Sequence, residues 1–249
     1  MIIGNSNILI TGGASGLGRT MATYLAGKAA NVIVVDRNAE MLSELQAECP
    51  AIKCYTADLT DYTVVESLVA EIFKEFGKLH VLVNNAGIIH SEPLVNILSR
   101  TDTRHSVENW RKTIDINLNA VFYVTSNVAE KMVKSRSKGV IINISSISSY
   151  GNMGQSAYSA SKAALNALTV TWSKELGMFG IRCVAIAPGF IDTPSTAAAL
   201  SDVKIKSYKN ATPLGRFGKT EELLHSVLFI IENDFYNGTI LNLDGGLKI

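Results

Sequence analysis

Net charge is almost missing from this sequence. Its 23 Lys and Arg stand against 22 Asp and Glu, a formal balance of +1. A near-neutral chain without a basic stripe gives no electrostatic reason to expect nucleic acid or an anionic membrane as partner. Cysteine is scarce as well. Cys49, Cys54 and Cys183 are odd in number and scattered, which excludes a disulfide framework and fits a reducing, cytoplasmic compartment. His80, His90, His105 and His225 form no ligand cluster, so no metal is expected. No apolar run reaches the ~18–20 residues that cross a bilayer. The start, "MIIGNSNILITGG", lacks the basic, apolar and small-residue sections of a signal peptide and reads as a first strand. Linkers, repeats and low-complexity tracts are also missing, so residues 1–249 are read as one domain.

What the chain does have is a regular alternation of two patterns. Short β-branched apolar runs occur at 7–11, 31–35, 51–57, 79–83, 139–145, 181–187 and 238–243. Most are continuous, as in strands buried on both faces. Segments with helical spacing lie between them at 16–29, 38–48, 61–76, 107–136, 156–177 and 219–232. This order predicts an α/β fold, a doubly wound parallel sheet with helices on both sides and right-handed crossovers. The least regular stretches, 88–106 and 190–214, follow strand carboxyl ends, where such sheets place ligands.

The turn after the first run, "ILITGGASGLGRT", carries Gly12, Gly16 and Gly18. Glycines there permit a tight turn and close approach of a phosphate, and the next helix offers free N–H groups. No Gly-Lys-Ser/Thr follows, so a nucleoside-triphosphate loop is not indicated. Asp36 ends the second run. A carboxylate at that place can accept from both hydroxyls of an adenosine ribose and repels a 2′-phosphate, which favours NAD over NADP. Arg37 points the other way, since a guanidinium can bind that phosphate. Further on, "QSAYSASK" sets Tyr158 four residues before Lys162. Residues four apart share a helix face, so a phenol and an ammonium can converge there. The pair alone is equally an ordinary helix surface.

The ordered set "TGGASGLG" (11–18), "ADL" (57–59), "NNAG" (84–87), "INLN" (116–119), "NISS" (143–146), "YSASK" (158–162), "PGFIDT" (188–193) and "LDGG" (243–246) resembles the classical short-chain dehydrogenase/reductase family over nearly the whole chain. The resemblance implies a single Rossmann domain with a seven-stranded sheet, a homotetramer or homodimer, and hydride transfer between NAD(P) and an alcohol or carbonyl. It implies that Tyr158 is the general acid/base and that Lys162 lowers its pKa and bonds the nicotinamide ribose. It implies that a serine of "NISS" polarises the carbonyl. Ser146 is favoured by strand register, whereas the commoner family spacing selects Ser145. Asn117 is implied to hold a water in a proton relay. For the cofactor, Gly12, Ser15, Gly16, Leu17 and Gly18 line the pyrophosphate turn, with Asp36 and Arg37 at the ribose. Asp58 and Leu59 flank the adenine, and Asn85, Ala86 and Gly87 follow the adenosine side. Pro188 and Gly189 edge the nicotinamide, while Ile191 and Thr193 hold its carboxamide, so that the pro-S hydrogen is presented.

Two other readings stay open: a cofactor-binding scaffold without chemistry, and an NADP-dependent 3-oxoacyl-thioester reductase of the same family. A nucleotide-sugar dehydratase is disfavoured by the Gly12-x-x-x-Gly16-x-Gly18 spacing. The substrate class is not legible. Arg100, Arg104 and His105 could meet an anionic substrate or be solvated loop residues. Residues 190–214 read as a mobile lid. Thr220 reads as a helix N-cap with Glu221 and Glu222 in the first turn.

Overall fold

A computed structural model of the chain describes residues 3–28, 30–99, 103–193, 196 and 200–249. Seven strands form one sheet: β1 (Asn7–Thr11), β2 (Asn31–Asp36), β3 (Lys53–Thr56), β4 (Val81–Asn84), β5 (Gly139–Ile144), β6 (Ile181–Pro188) and β7 (Ile240–Leu243). All neighbours are parallel, in the order β3-β2-β1-β4-β5-β6-β7. The helices are α1 (Gly16–Ala26), α2 (Ala39–Glu48), α3 (Tyr62–Phe76), α4 (Val107–Ile114), α5 (Ala120–Lys134), α6 (Ser156–Leu176), α7 (Asp202–Ala211) and α8 (Thr220–Glu232).

Strand pleating explains why the apolar runs are continuous. In β1, Ile8 and Ile10 join the cluster beneath α1, α2 and α8, while Leu9 joins the one beneath α3, α5 and α6. Each face therefore needs its own apolar residues, and each fully buried Leu or Ile contributes about 1.5–3 kcal/mol. Helix starts follow ordinary capping. Asn38, Asp61 and Ser106 accept from first-turn N–H groups of α2, α3 and α4. The strand order reverses between β1 and β4, and a crevice opens at their carboxyl ends.

Four expectations are corrected. The strands expected at 51–57 and 238–243 shorten to Lys53–Thr56 and Ile240–Leu243. The helix expected to run unbroken over 107–136 is interrupted by a π-helical turn at Asp115–Asn119. The turn spans only Asp115–Asn119, too short a stretch to show as a separate period in the sequence. The 190–214 stretch contains α7, which has no buried residue and hence no apolar stripe to betray it. It is held by side-chain stacking: Phe190 lies 4.2 Å from Tyr208 and 5.3 Å from Phe217, ring centre to ring centre. Finally, Lys219 occupies the cap position of α8 and Thr220 is its first helical residue; the Lys219 N–H donates to Glu222 Oε2 at 2.7 Å.

Candidate active site

The crevice is a cavity of about 1040 Å³. Its floor is the β1–α1 turn. Gly12 has φ +62°, and a Cβ on Gly18 would lie 2.2 Å from the Gly12 carbonyl oxygen. Only hydrogen fits there, so α1 sits directly on the turn. Ser15 precedes α1 in extended conformation and makes no side-chain cap. First-turn N–H groups of α1 are thereby left to face the cavity, an arrangement suited to a pyrophosphate. Gly12, Ser15, Gly16 and Leu17 are on the wall; Gly18 lies behind it.

The end of the crevice beside β2 and β3 is acidic on two sides. Asp36 Oδ2 accepts from Ala14 N–H at 3.2 Å and Oδ1 from Asn38 N–H at 3.1 Å, so its carboxylate is fixed between the turn and α2. Asp58 accepts from the N–H and hydroxyl of Thr60, which hold its pKa below the usual carboxylate range; Arg37 nearby adds to the effect. Leu59 completes this end of the wall. Asn85 Nδ2 donates to the Thr11 and Gly12 carbonyls at 3.0 and 2.9 Å, bracing the turn, and Ala86 and Gly87 continue the wall. These features fit a dinucleotide: a cradle that a Cβ would fill, an uncapped helix start, and two carboxylates on the same wall.

At the other end, β5, the π turn and α6 bring four side chains together. Tyr158 and Lys162 lie on the cavity wall one turn apart, yet are only 8% and 5% exposed. Lys162 Nζ donates to the Ile144 carbonyl at 2.7 Å and lies 5.8 Å from the Tyr158 ring centre. Ser146, behind the wall, lies beside the Tyr158 phenol and favours its ionised form, and its Oγ accepts from Ser148 N–H at 3.1 Å. Ser145, although on the wall, turns its hydroxyl to the Lys162 carbonyl at 3.4 Å. Asn117 is fully buried; its amide accepts from Ile88 N–H and donates to Ile88 C=O, both at 2.8 Å. A Cβ on Gly87 would come within 3.2 Å of Asn117 Oδ1 and 3.7 Å of Lys162 Nζ, so these two flank that glycine. Asn119 instead donates to Asp115 Oδ1 at 2.8 Å and does not line the cavity.

Electrostatics here differ from expectation. Burial pushes the Tyr158 phenol above its ordinary pKa, and Ser146 opposes this only in part. Burial also lowers Lys162 to about 8. The amine, turned to the Ile144 carbonyl, does not offset the cost of a buried phenolate.

Not every expected residue reaches the wall. Among the described residues, Pro188, Gly189 and Ile191 stand behind it, while Thr193 is on it with its Oγ1 2.9 Å from Thr196 Oγ1. Arg104 and His105 are not on the wall, and Arg100 lies outside the described residues. The wall also contains Gln155, Ser91 and Phe190, which the sequence reading passed over. Gln155 was detectable, since it sits three residues before Tyr158 and so on the same helix side. Among the described residues no group of three or more His, Cys, Asp or Glu could hold a metal ion, and no helix is long and apolar enough to cross a membrane.

Comparison with known proteins bears on this geometry. A family profile described as "short chain dehydrogenase" matches residues 6–204. The 3-oxoacyl-[acyl-carrier-protein] reductase FabG of Thermotoga maritima is 39% identical, with 97% of each chain covered. Gluconate 5-dehydrogenase of Gluconobacter oxydans is 34% identical over 99% of this chain and 96% of its own. The crystal structure of gox2181 superposes with a TM-score of 0.88 at 29% identity, covering 98% of this chain and 95% of that one.

Proposed function

From the premise that this chain belongs to the short-chain dehydrogenase family and is an oxidoreductase acting on CH–OH or carbonyl groups, we propose that it interconverts a secondary alcohol and a ketone with NAD(H), using Tyr158 as the proton donor and acceptor. The observation that carries this reading is the placement of Tyr158 and Lys162 together on the cavity wall, with Ser146 beside the phenol and Asn117 buried behind. A nicotinamide dinucleotide bound in the crevice supplies the hydride and, when oxidised, a positive charge that eases phenolate formation. The protein positions and polarises. Ser146 and Tyr158 donate to the substrate oxygen, and the Tyr158 hydroxyl releases its proton to that oxygen as it becomes an alkoxide. The raised phenol keeps that proton at neutral pH, which suits reduction; oxidation gains from alkaline pH. Lys162 re-protonates the phenolate side through its amine. Asn117, locked to the Ile88 peptide, holds the π turn in place for a water relay to solvent.

NAD is favoured over NADP because Asp36 is fixed by two backbone N–H groups and Arg37 is flanked by Asp58. The site residues Gly12, Ser15, Gly16, Leu17, Gly18, Asp58, Leu59, Asn85, Ala86, Gly87, Pro188, Gly189, Ile191 and Thr193 are assigned to the cofactor on the same reading. A second reading concerns substrate. Ile89, on the wall, and Leu94, Ile97 and Leu98 beyond it are strongly exposed. Such an apolar lip suits a 3-oxoacyl thioester, as the name of the Thermotoga relative suggests, more than a sugar acid. We place the protein in the cytoplasm, as three free cysteines suit a reducing compartment, and as a homo-oligomer.

The test is a panel of ketones, acetoacetyl thioester and polyols, followed at the NADH absorbance with NAD(H) and NADP(H). Tyr158→Phe should lower turnover at least 100-fold and leave NADH affinity within about two-fold of the parent. Full turnover in that variant overturns the tyrosine's role, and a strong NADP preference overturns that of Asp36.

A further inference from the structure

The cavity wall carries a polar pair that the proposed mechanism leaves idle. Gln155, at the cap position of α6, and Ser91, in the segment after β4, line it together with Tyr158. Gln155 Nε2 donates to Ser91 Oγ at 3.2 Å. Gln155 Oε1 accepts from Asn152 Nδ2 at 3.1 Å, and the Asn152 N–H donates in turn to Ser159 Oγ at 3.2 Å. The two segments are also joined through backbone. Glu92 N–H donates to the Gly154 carbonyl at 2.6 Å, and Glu92 forms an isolated parallel bridge with Gln155. Side chain and main chain thus hold the pair in place before any ligand arrives, as a recognition site requires.

The chemistry of the pair follows from counting hydrogens. A carboxamide nitrogen carries two N–H donors and a hydroxyl carries one O–H. The Gln155 oxygen is occupied by Asn152, and the Ser91 oxygen takes one of the two Gln155 hydrogens. The other Gln155 N–H and the Ser91 O–H have no protein acceptor among the described residues. We infer that Gln155 and Ser91 are specificity residues that donate these two hydrogens to a second oxygen of the substrate. This rests on the proposed oxidoreductase reading, in which Tyr158 meets the reacting carbonyl. Gln155 lies three residues before Tyr158, and residues three apart are neighbours on a helix. The second oxygen therefore belongs close to the first, as in a 3-oxo ester or thioester. A plain ketone covering the pair leaves both hydrogens unmatched, which costs affinity, whereas a second carbonyl oxygen accepts them. This polarity is independent of the apolar lip at Ile89, Leu94, Ile97 and Leu98, and both features select the same class of substrate.

The test compares ethyl acetoacetate with 2-heptanone, a ketone of equal chain length that lacks the ester oxygens. Gln155→Glu is the informative variant. Its carboxylate can still accept from Asn152 and can accept the Ser91 O–H, so the links to both neighbours survive while both free donors are lost. Ser91→Ala removes one donor and leaves the start of α6 untouched. Calorimetry with the protein saturated in oxidised cofactor, which cannot reduce a ketone, reads binding without turnover. The affinity ratio of ethyl acetoacetate to 2-heptanone should fall at least five-fold in Gln155→Glu and at least two-fold in Ser91→Ala, as expected for two and one neutral hydrogen bonds. The melting temperature should stay within a few degrees in both. With NADH, the ratio of kcat/KM for the two ketones should fall by the same factors; a change in Tyr158 itself affects both ketones and leaves that ratio alone. An unchanged ratio in Gln155→Glu, in binding or in turnover, or a parent protein that binds neither ketone, overturns the inference. Binding ratios that fall as expected in a protein that reduces neither ketone count against the oxidoreductase reading instead.

Discussion

At the scale of single residues, the site is governed by burial of charge. Lys162 is an amine in an almost closed position with one carbonyl partner, and its pKa falls from 10.5 to about 8. A base with a lowered folded pKa destabilises the native state wherever it is charged. The cost is complete below pH 8 and disappears as pH rises from 8 to 10.5, because over that window the unfolded chain binds the extra proton. Lys162→Met should therefore raise stability at pH 7 by about 1–3 kcal/mol, after allowing for the lost Ile144 hydrogen bond. The gain should shrink towards pH 10.5, and turnover should be lost. Denaturant melts at pH 7 and pH 10 test the sign; a variant less stable than wild type at pH 7 contradicts it. The same desolvation keeps Tyr158 protonated, whereas the family resemblance implied a phenol lowered by Lys162. Sequence spacing places two groups on one helix face, but it does not say that the amine turns away to a strand carbonyl.

At the scale of elements, the β1–α1 turn is the most constrained junction. A Cβ at Gly18 would meet the Gly12 oxygen at 2.2 Å, Asn85 Nδ2 at 2.6 Å and Gly13 Cα at 2.8 Å. Backbone cannot yield there without lifting α1 from the sheet. Gly18→Ala should therefore cut dinucleotide affinity at least ten-fold and lower the melting temperature. Gly77, the C-cap of α3 with φ +71° and nothing near its Cβ position, is the control. Gly77→Ala should lower stability by about 1–3 kcal/mol through strain in a backbone conformation that L residues rarely adopt, and leave cofactor affinity unchanged. Calorimetry with titrated NADH separates the two. The π turn at Asp115–Asn119 is the other functional element. It buries Asn117 against Ile88 and pairs Asn119 with Asp115 instead, a distinction the motif "INLN" carries only by family resemblance.

At the scale of the whole molecule, α5 and α6 expose an apolar groove of Leu118, Phe122, Ala164, Ala167 and Leu168. We propose that a second copy covers it, and Phe122→Glu should shift the light-scattering mass to that of the monomer; an unchanged mass removes this interface. The parallel α/β alternation, the two-sided core and the glycine turn were all legible in the residues. Continuous β-branched runs and a turn that tolerates only glycine are local consequences of steric and apolar demands. Three things were not local. The π turn hides within an unbroken apolar period, α7 has no buried face and hangs on rings from two other segments, and Tyr158 takes its acidity from atoms contributed by β5 and α6. Those depend on which surfaces meet after folding, and pairwise contact and desolvation are set by three-dimensional neighbours that no spacing along the chain encodes.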